Sequence, residues 1–138
     1  MRLEDNPLFA QLLSLDLPTD DYAVFGGGPL YAHGLKEELH DLDIIARGEA
    51  LRRVRELGEV KEAKLGGEVV NLFGESLEFF DTWAPGQWDP DRLIDTADVI
   101  EGVRFVGLMH VLEWKKRMGR PKDLDDIARI EEHLKKNS

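Results

Sequence analysis

Tyr22-Ala23-Val24-Phe25-Gly26-Gly27-Gly28, followed after a spacer by Asp41-Leu42-Asp43-Ile44-Ile45, is the stretch that decides the fold. Tyr22 to Phe25 reads as a buried strand ended by three glycines, and Pro29 restarts the chain as a brief helix closing near Gly34. Leu42 to Ala46 reads as a second strand. Glu49 to Leu57 has helical periodicity with a charged outer face, and Gly58 stands just past its end. Strand, helix, strand and helix then give way to extended segments at Val60 to Leu65, Val69 to Phe73 and Leu77 to Phe80. Gly66-Gly67 and Gly74-Glu75 between them are hairpin signals, so an antiparallel meander is expected to complete the sheet.

Toward the N-terminus, Pro7 to Leu17 places Leu8, Phe9, Leu12, Leu13 and Leu15 near helical spacing. Asn6 before Pro7 suits a cap with proline at the first helical position. Toward the C-terminus, residues 84–90 read as a loop, Asp91 to Ala97 as a short helix, and Val99 to Phe105 as another extended piece. Leu108 to Met118 and Lys122 to Lys136 read as helices joined at Gly119-Arg120-Pro121, with fraying expected over residues 135–138. The expected fold class is therefore α+β: a small mixed sheet with an antiparallel meander and C-terminal helices packed on it.

With 138 residues and 42% hydrophobic side chains, the chain is expected to form a single domain over 1–138. Twenty-eight acids against eighteen bases give a net charge of -10. Such a surface repels nucleic acid at long range and is not drawn to anionic membranes, so a small or cationic partner is easier to accommodate. Cysteine is absent, which excludes disulfides and thiolate chemistry. No apolar run approaches the length of a membrane span, and Met1-Arg2-Leu3-Glu4-Asp5 lacks the apolar stretch of a secretory leader, so a cytoplasmic location is expected.

Asp-x-Asp occurs at Asp41/Asp43, Asp89/Asp91 and Asp123/Asp125, so its spacing alone carries little in so acidic a chain. Asp89/Asp91 flank Pro90 where aspartates cap a following helix. Asp123/Asp125 open the last helix, where negative charge complements the dipole. Asp41/Asp43 differ, because alternate residues on a strand face the same way, about 6.6 Å apart along it. Two like charges on one face call for cations between them, and paired Mg²⁺ ions of phosphoryl-transfer sites are the usual solution. The contrary reading makes Asp41 a turn residue and Asp43 part of a solvated face.

A third acid is sought in Ser76-Leu77-Glu78-Phe79-Phe80-Asp81. Alternation allows only one of Glu78 and Asp81 to face the site unless the strand bulges. Glu78 is favoured because it lies between apolar neighbours inside the strand, with Asp81 the alternative. The glycines permit positive φ and close approach of phosphates, but serve equally for a tight strand-to-helix turn. Trp83 and Trp88 are candidates to stack on a base or acceptor, although packing a loop onto the sheet is the simpler account. His33 and His40 border turns and read as surface residues. Lys115, Lys116, Arg117, Arg120 and Lys122 form a basic cluster in which Lys116 and Arg117 suit a helix C-terminus.

Phe25-Gly26-Gly27 with His33-Gly34-Leu35 and His40-Asp41-Leu42-Asp43-Ile44 resembles the minimal nucleotidyltransferases of the DNA polymerase beta superfamily. Lys115, Arg120-Pro121-Lys122-Asp123 and Asp126 resemble a helical element of its bacterial branch with abortive-infection toxin-type and antibiotic-modifying members. The two blocks span about Val24 to Ile130. The resemblance implies a nucleotidyltransferase-like fold and a nucleoside triphosphate bound at Gly26 and Gly27. It further implies Mg²⁺ or Mn²⁺ held by Asp41, Asp43 and a third acid, and transfer of a nucleoside monophosphate to an acceptor hydroxyl on a small molecule or protein. By the same resemblance Lys115 contacts the triphosphate, while Arg120 and Lys122 shape its pocket or pair with nearby acids. This chain departs from the branch in carrying Glu37-Glu38-Leu39 where Arg-x-Thr is frequent. Two other readings stay open: an inactive nucleotide-binding or protein-interaction domain of the same fold, and a toxin modifying transfer RNA. Because some minimal relatives act as dimers or with a partner protein, the resemblance also leaves room for a homodimer or a partner protein here.

Overall fold

The computed structural model describes residues 2–137. Seven strands form one mixed sheet: β1 (Tyr22–Phe25), β2 (Leu42–Ala46), β3 (Glu59–Glu62), β4 (Glu68–Leu72), β5 (Leu77–Phe80), β6 (Asp98–Ile100) and β7 (Val103–Phe105). Six α-helices accompany them among the described residues: α1 (Pro7–Ser14), α2 (Gly28–Ala32), α3 (Gly48–Leu57), α4 (Pro90–Asp95), α5 (Leu108–Met118) and α6 (Leu124–Lys136). The strand order is β3-β4-β5-β2-β1-β7-β6. Strands β1 and β2 run antiparallel, β2 pairs β5 in parallel, and β3, β4 and β5 form the expected meander.

The central strands alternate between two cores. Val24, Ile44, Phe79 and Phe105 pack with Phe9 and Leu12 of α1 and Ala50 and Val54 of α3. Ala23, Phe25 and Ile45 point the other way, joining Leu93, Val111, Trp114 and Ile130 from α4, α5 and α6. Both sheet faces are therefore covered, which is why β1 and β2 read as nearly continuous apolar runs. Each fully buried side chain of this kind contributes about 1.5–3 kcal/mol by leaving water.

Local signals act as expected at several ends. Asn6 Oδ1 accepts from the Leu8 N–H at 2.8 Å, with Pro7 at the first helical position, although α1 stops at Ser14 rather than Leu17. Asp89 caps α4 through the Asp91 N–H, and Gly119 closes α5 in the left-handed region. The Val99–Phe105 segment differs from the single extended piece expected. It is a tight hairpin, β6 against β7, turning at Glu101 (φ 51°) and Gly102 (φ 80°). α6 runs through Lys136, and Ser138 lies outside the described residues. Among the described residues, no helix is long and apolar enough to cross a membrane.

Candidate functional site

Register fixes the site. Asp43 lies opposite Phe25 on β1 and opposite Glu78 on β5, so the Asp43 and Glu78 side chains emerge on the same face as Phe25. Asp41, one strand step earlier, joins them: Asp41, Asp43 and Glu78 each offer a carboxylate oxygen within 4.8 Å of the others. Asp81 is excluded from this group. Its Oδ1 accepts from the Glu68 N–H at 2.9 Å and its Oδ2 lies 4.0 Å from Arg55 of α3, so it ties the meander to the opposite side of the sheet.

The turn after β1 presses against this cluster. Gly26 has φ +61°, and a Cβ there would stand 2.8 Å from Asp43 Oδ2. Glycine is thus required twice over, by conformation and by space. Gly27 has ordinary φ, yet a side chain there would crowd Leu39 and come within 3.5 Å of Lys36 Nζ. Gly28 is backed against Val24, which lets α2 start directly on the strand end.

Charge within the cluster is uncompensated by the carboxylates themselves. Burial pushes the Asp43 carboxyl up to about 7, reinforced by the charges of Asp41 and Glu78 and opposed by Arg120 and Lys115. Burial also raises Glu78, with Asp41 and Glu75 adding to it and Lys64 opposing. Three hard oxygen donors converging with mutual repulsion fit a hard divalent cation such as Mg²⁺ or Mn²⁺, and suit soft metals poorly.

The basic residues divide. Lys115 is almost wholly buried, with Nζ 3.0 Å from Asp123 Oδ1 and 3.2 Å from Asp126 Oδ2. Expected at a triphosphate, its ammonium already holds two carboxylates. Arg120 donates to both oxygens of Asp123 and stands over the Trp114 ring at 5.3 Å. Burial alone would push the Asp123 carboxyl up, but the hydrogen bonds from Arg120 and Lys115 outweigh it and hold it below the ordinary range. Asp123 therefore makes no cap hydrogen bond at α6, contrary to the helix-opening role expected of it, while exposed Asp125 pairs with Arg129. Lys122 is exposed and joins none of these pairs.

Lys36 is the residue that sequence reading missed. Its Nζ lies 3.4 Å from Asp126 Oδ2 and beside Gly27, so Asp126 links the glycine turn to Lys115. Within Leu35-Lys36-Glu37-Glu38 nothing distinguishes it; only the partner on α6 does.

A cleft of about 680 Å³ opens on the same face, running from Asp43 and Glu78 over β5 and β4 to the β3–β4 hairpin. Its walls include Val69, Phe80, Trp83 and Trp114, with Asn71 beside Glu78 in register. Trp83 stacks on Phe25 at 4.2 Å and Trp88 donates to the Pro85 carbonyl, so both tryptophans pack the 84–90 loop onto the sheet. His40 is exposed, whereas His33 lies half-buried against His133, its Nε2 without a hydrogen bond. No protein-family model matches the chain, and comparison with curated proteins and with solved structures finds no match to it.

Proposed function

We propose that the chain has a nucleotidyltransferase-like fold and transfers a nucleoside monophosphate from a nucleoside triphosphate to an acceptor hydroxyl. The observation that carries this reading is the convergence of Asp41, Asp43 and Glu78 within 4.8 Å of one another, directly against the Gly26 turn. Such a cluster is ill-suited to stability, because three carboxylates repel and one is nearly buried. A phosphate-bearing ligand with its cation relieves that repulsion.

When held by these three carboxylates, Mg²⁺ or Mn²⁺ would offset phosphate charge and make the acceptor hydroxyl more acidic. The chain's own residues supply position and charge. The Gly26-Gly27 turn, bare of side chains, receives the β- and γ-phosphates, and Lys36 beside it meets their charge. Lys115 and Arg120, fixed by Asp123 and Asp126, hold positive potential next to Asp43. The acceptor oxygen bonds to the α-phosphorus as the bond from that phosphorus to the bridging oxygen breaks. Pyrophosphate departs with the electron pair, and Glu78 takes the hydroxyl proton.

The test is incubation of α-labelled ATP, CTP, GTP and UTP with cell extract and Mg²⁺ or Mn²⁺. A labelled product with release of pyrophosphate is expected from the wild-type chain and not from Asp43→Asn. Equal labelling by the Asn variant overturns the reading.

A further inference from the structure

The rim strand β3 has one open edge. It ends the strand order with β4 on its inner side, and all four of its residues are exposed. Its ladder with β4 pairs Glu59 with Asn71 and Lys61 with Val69, and continues to Ala63, whose N–H donates to the Gly67 carbonyl. Hydrogen-bonded and non-hydrogen-bonded pairs alternate along such a ladder. Glu59, Lys61 and Ala63 therefore turn their backbone groups toward β4, while Val60 and Glu62 turn theirs outward. An edge of this kind is a template for another strand.

Charge restricts what can cover it. Chains of net charge -10 repel one another at long range, so a second copy can dock only where local charges match. Antiparallel pairing of β3 with itself must set outward residues against outward residues, which places the two-fold axis on a residue rather than between two. An axis on Glu59 or Glu62 sets two glutamates face to face, and one on Lys61 sets two lysines together. An axis on Val60 alone matches. Val60 then exchanges both backbone hydrogen bonds with its own copy, and Glu59 of each chain faces Lys61 of the other in the pairs whose side chains approach most closely. Within one copy Lys61 Nζ already lies 3.6 Å from Glu59 Oε1, so the charges around the axis alternate in sign.

We infer that β3 is a self-association edge whose partner is a second copy of this chain, paired antiparallel about Val60. The two sheets join into one. Paired residues share a face and Lys61 lines the cleft, so the two clefts open side by side on the same face of the joined sheet. A strand of four residues buries less than the ~1,200 Å² of a standard interface, which makes the dimer weak and concentration-dependent.

Analytical ultracentrifugation of the full chain from about 10 μM to about 1 mM, the range of weak affinities, tests this. Wild type should pass from monomer to dimer. Glu59→Lys and Lys61→Glu each turn two facing pairs from attractive to repulsive and should weaken dimerisation at least about tenfold. An equimolar mixture of the two variants should recover it, because lysines of one chain then face glutamates of the other. Mixing does not cure a misfolded chain, and circular dichroism checks each variant. The chain has no cysteine, so Val60→Cys reads the register. It should crosslink on oxidation, its two copies lying with Cα atoms about 5.5 Å apart. Copies of Glu62→Cys lie about 14 Å apart along the edge and should stay reduced. A wild type that remains monomeric throughout overturns the proposal. So does a dimer that both charge variants leave intact, that mixing fails to restore, or that crosslinks through Glu62→Cys in preference to Val60→Cys.

Discussion

Gly26 stands beside Asp43 where β1 and β2 pair, so close that a Cβ on Gly26 would lie 2.8 Å from Asp43 Oδ2. The turn and the carboxylate are thus one structural unit, and the position of the acid depends on the absence of a side chain. Gly26→Ala should destabilise the fold by about 1–2 kcal/mol, the cost of a left-handed residue with a Cβ, and should displace Asp43. Urea denaturation measures the first and Mn²⁺ affinity the second. A variant with wild-type values in both contradicts this account.

Metal binding should distinguish the two acids that compete in the strand Leu77–Phe80 and its end. Glu78→Gln and Asp43→Asn each remove one of three converging oxygens and should lower Mn²⁺ affinity at least about tenfold. Asp81→Asn should leave Mn²⁺ affinity unchanged and cost about 1 kcal/mol through its weakened bond to the Glu68 N–H. Titration followed by Mn²⁺ electron paramagnetic resonance reads all three.

The raised Asp43 pKa gives the metal-free protein an inverted pH response. In the unfolded chain this carboxyl ionises near its ordinary value of 3.8, and in the folded chain near about 7. Between these values the native state binds the extra proton, so its stabilising effect is present below the unfolded pKa and lost as pH rises through the folded one. Stability should decline by on the order of a few kcal/mol from about pH 4 to pH 7 relative to Asp43→Asn, then level off. Mg²⁺ or Mn²⁺ should restore it above pH 7. Parallel denaturation curves for wild type and Asp43→Asn across this range would rule out the shift.

Lys115 is a structural cation as well as a neighbour of the site. Lys115→Met should leave Asp126 with Lys36 alone and Asp123 with Arg120 alone, at a cost of about 3 kcal/mol. The loss should be smaller in a Lys115→Met, Asp126→Leu double variant, since the buried charge left behind goes too. Chemical denaturation of both variants checks the ordering.

Much of the architecture was legible because it is local. Tyr22–Phe25 and Leu42–Ala46 are apolar runs bounded by glycine or acid, and Leu108–Met118 ends at a left-handed glycine. The β6–β7 hairpin was not legible, since its turn places Glu101 at positive φ, where asparagine or glycine would have given the signal. Asp41, Asp43 and Glu78 could be grouped from strand alternation, because register carries a side chain's face across neighbouring strands. Lys36, Asp123 and Asn71 could not. The roles of Lys36 and Asp123 arise from partners on α6 and α5, and the place of Asn71 beside Glu78 from strand register; no spacing within their own segments encodes those meetings.

Asp43 and Glu78 sit on β2 and β5 in the middle of the sheet, whereas β3 at its rim has every residue exposed. Rewriting residues 59–66 therefore disturbs neither core, although this hairpin supplies Lys61 and Lys64 to the cleft wall. Randomising that rim alone should reshape the far wall of the cleft while Asp43 and Glu78 keep their places, which makes the hairpin the natural handle for altering what the cleft admits.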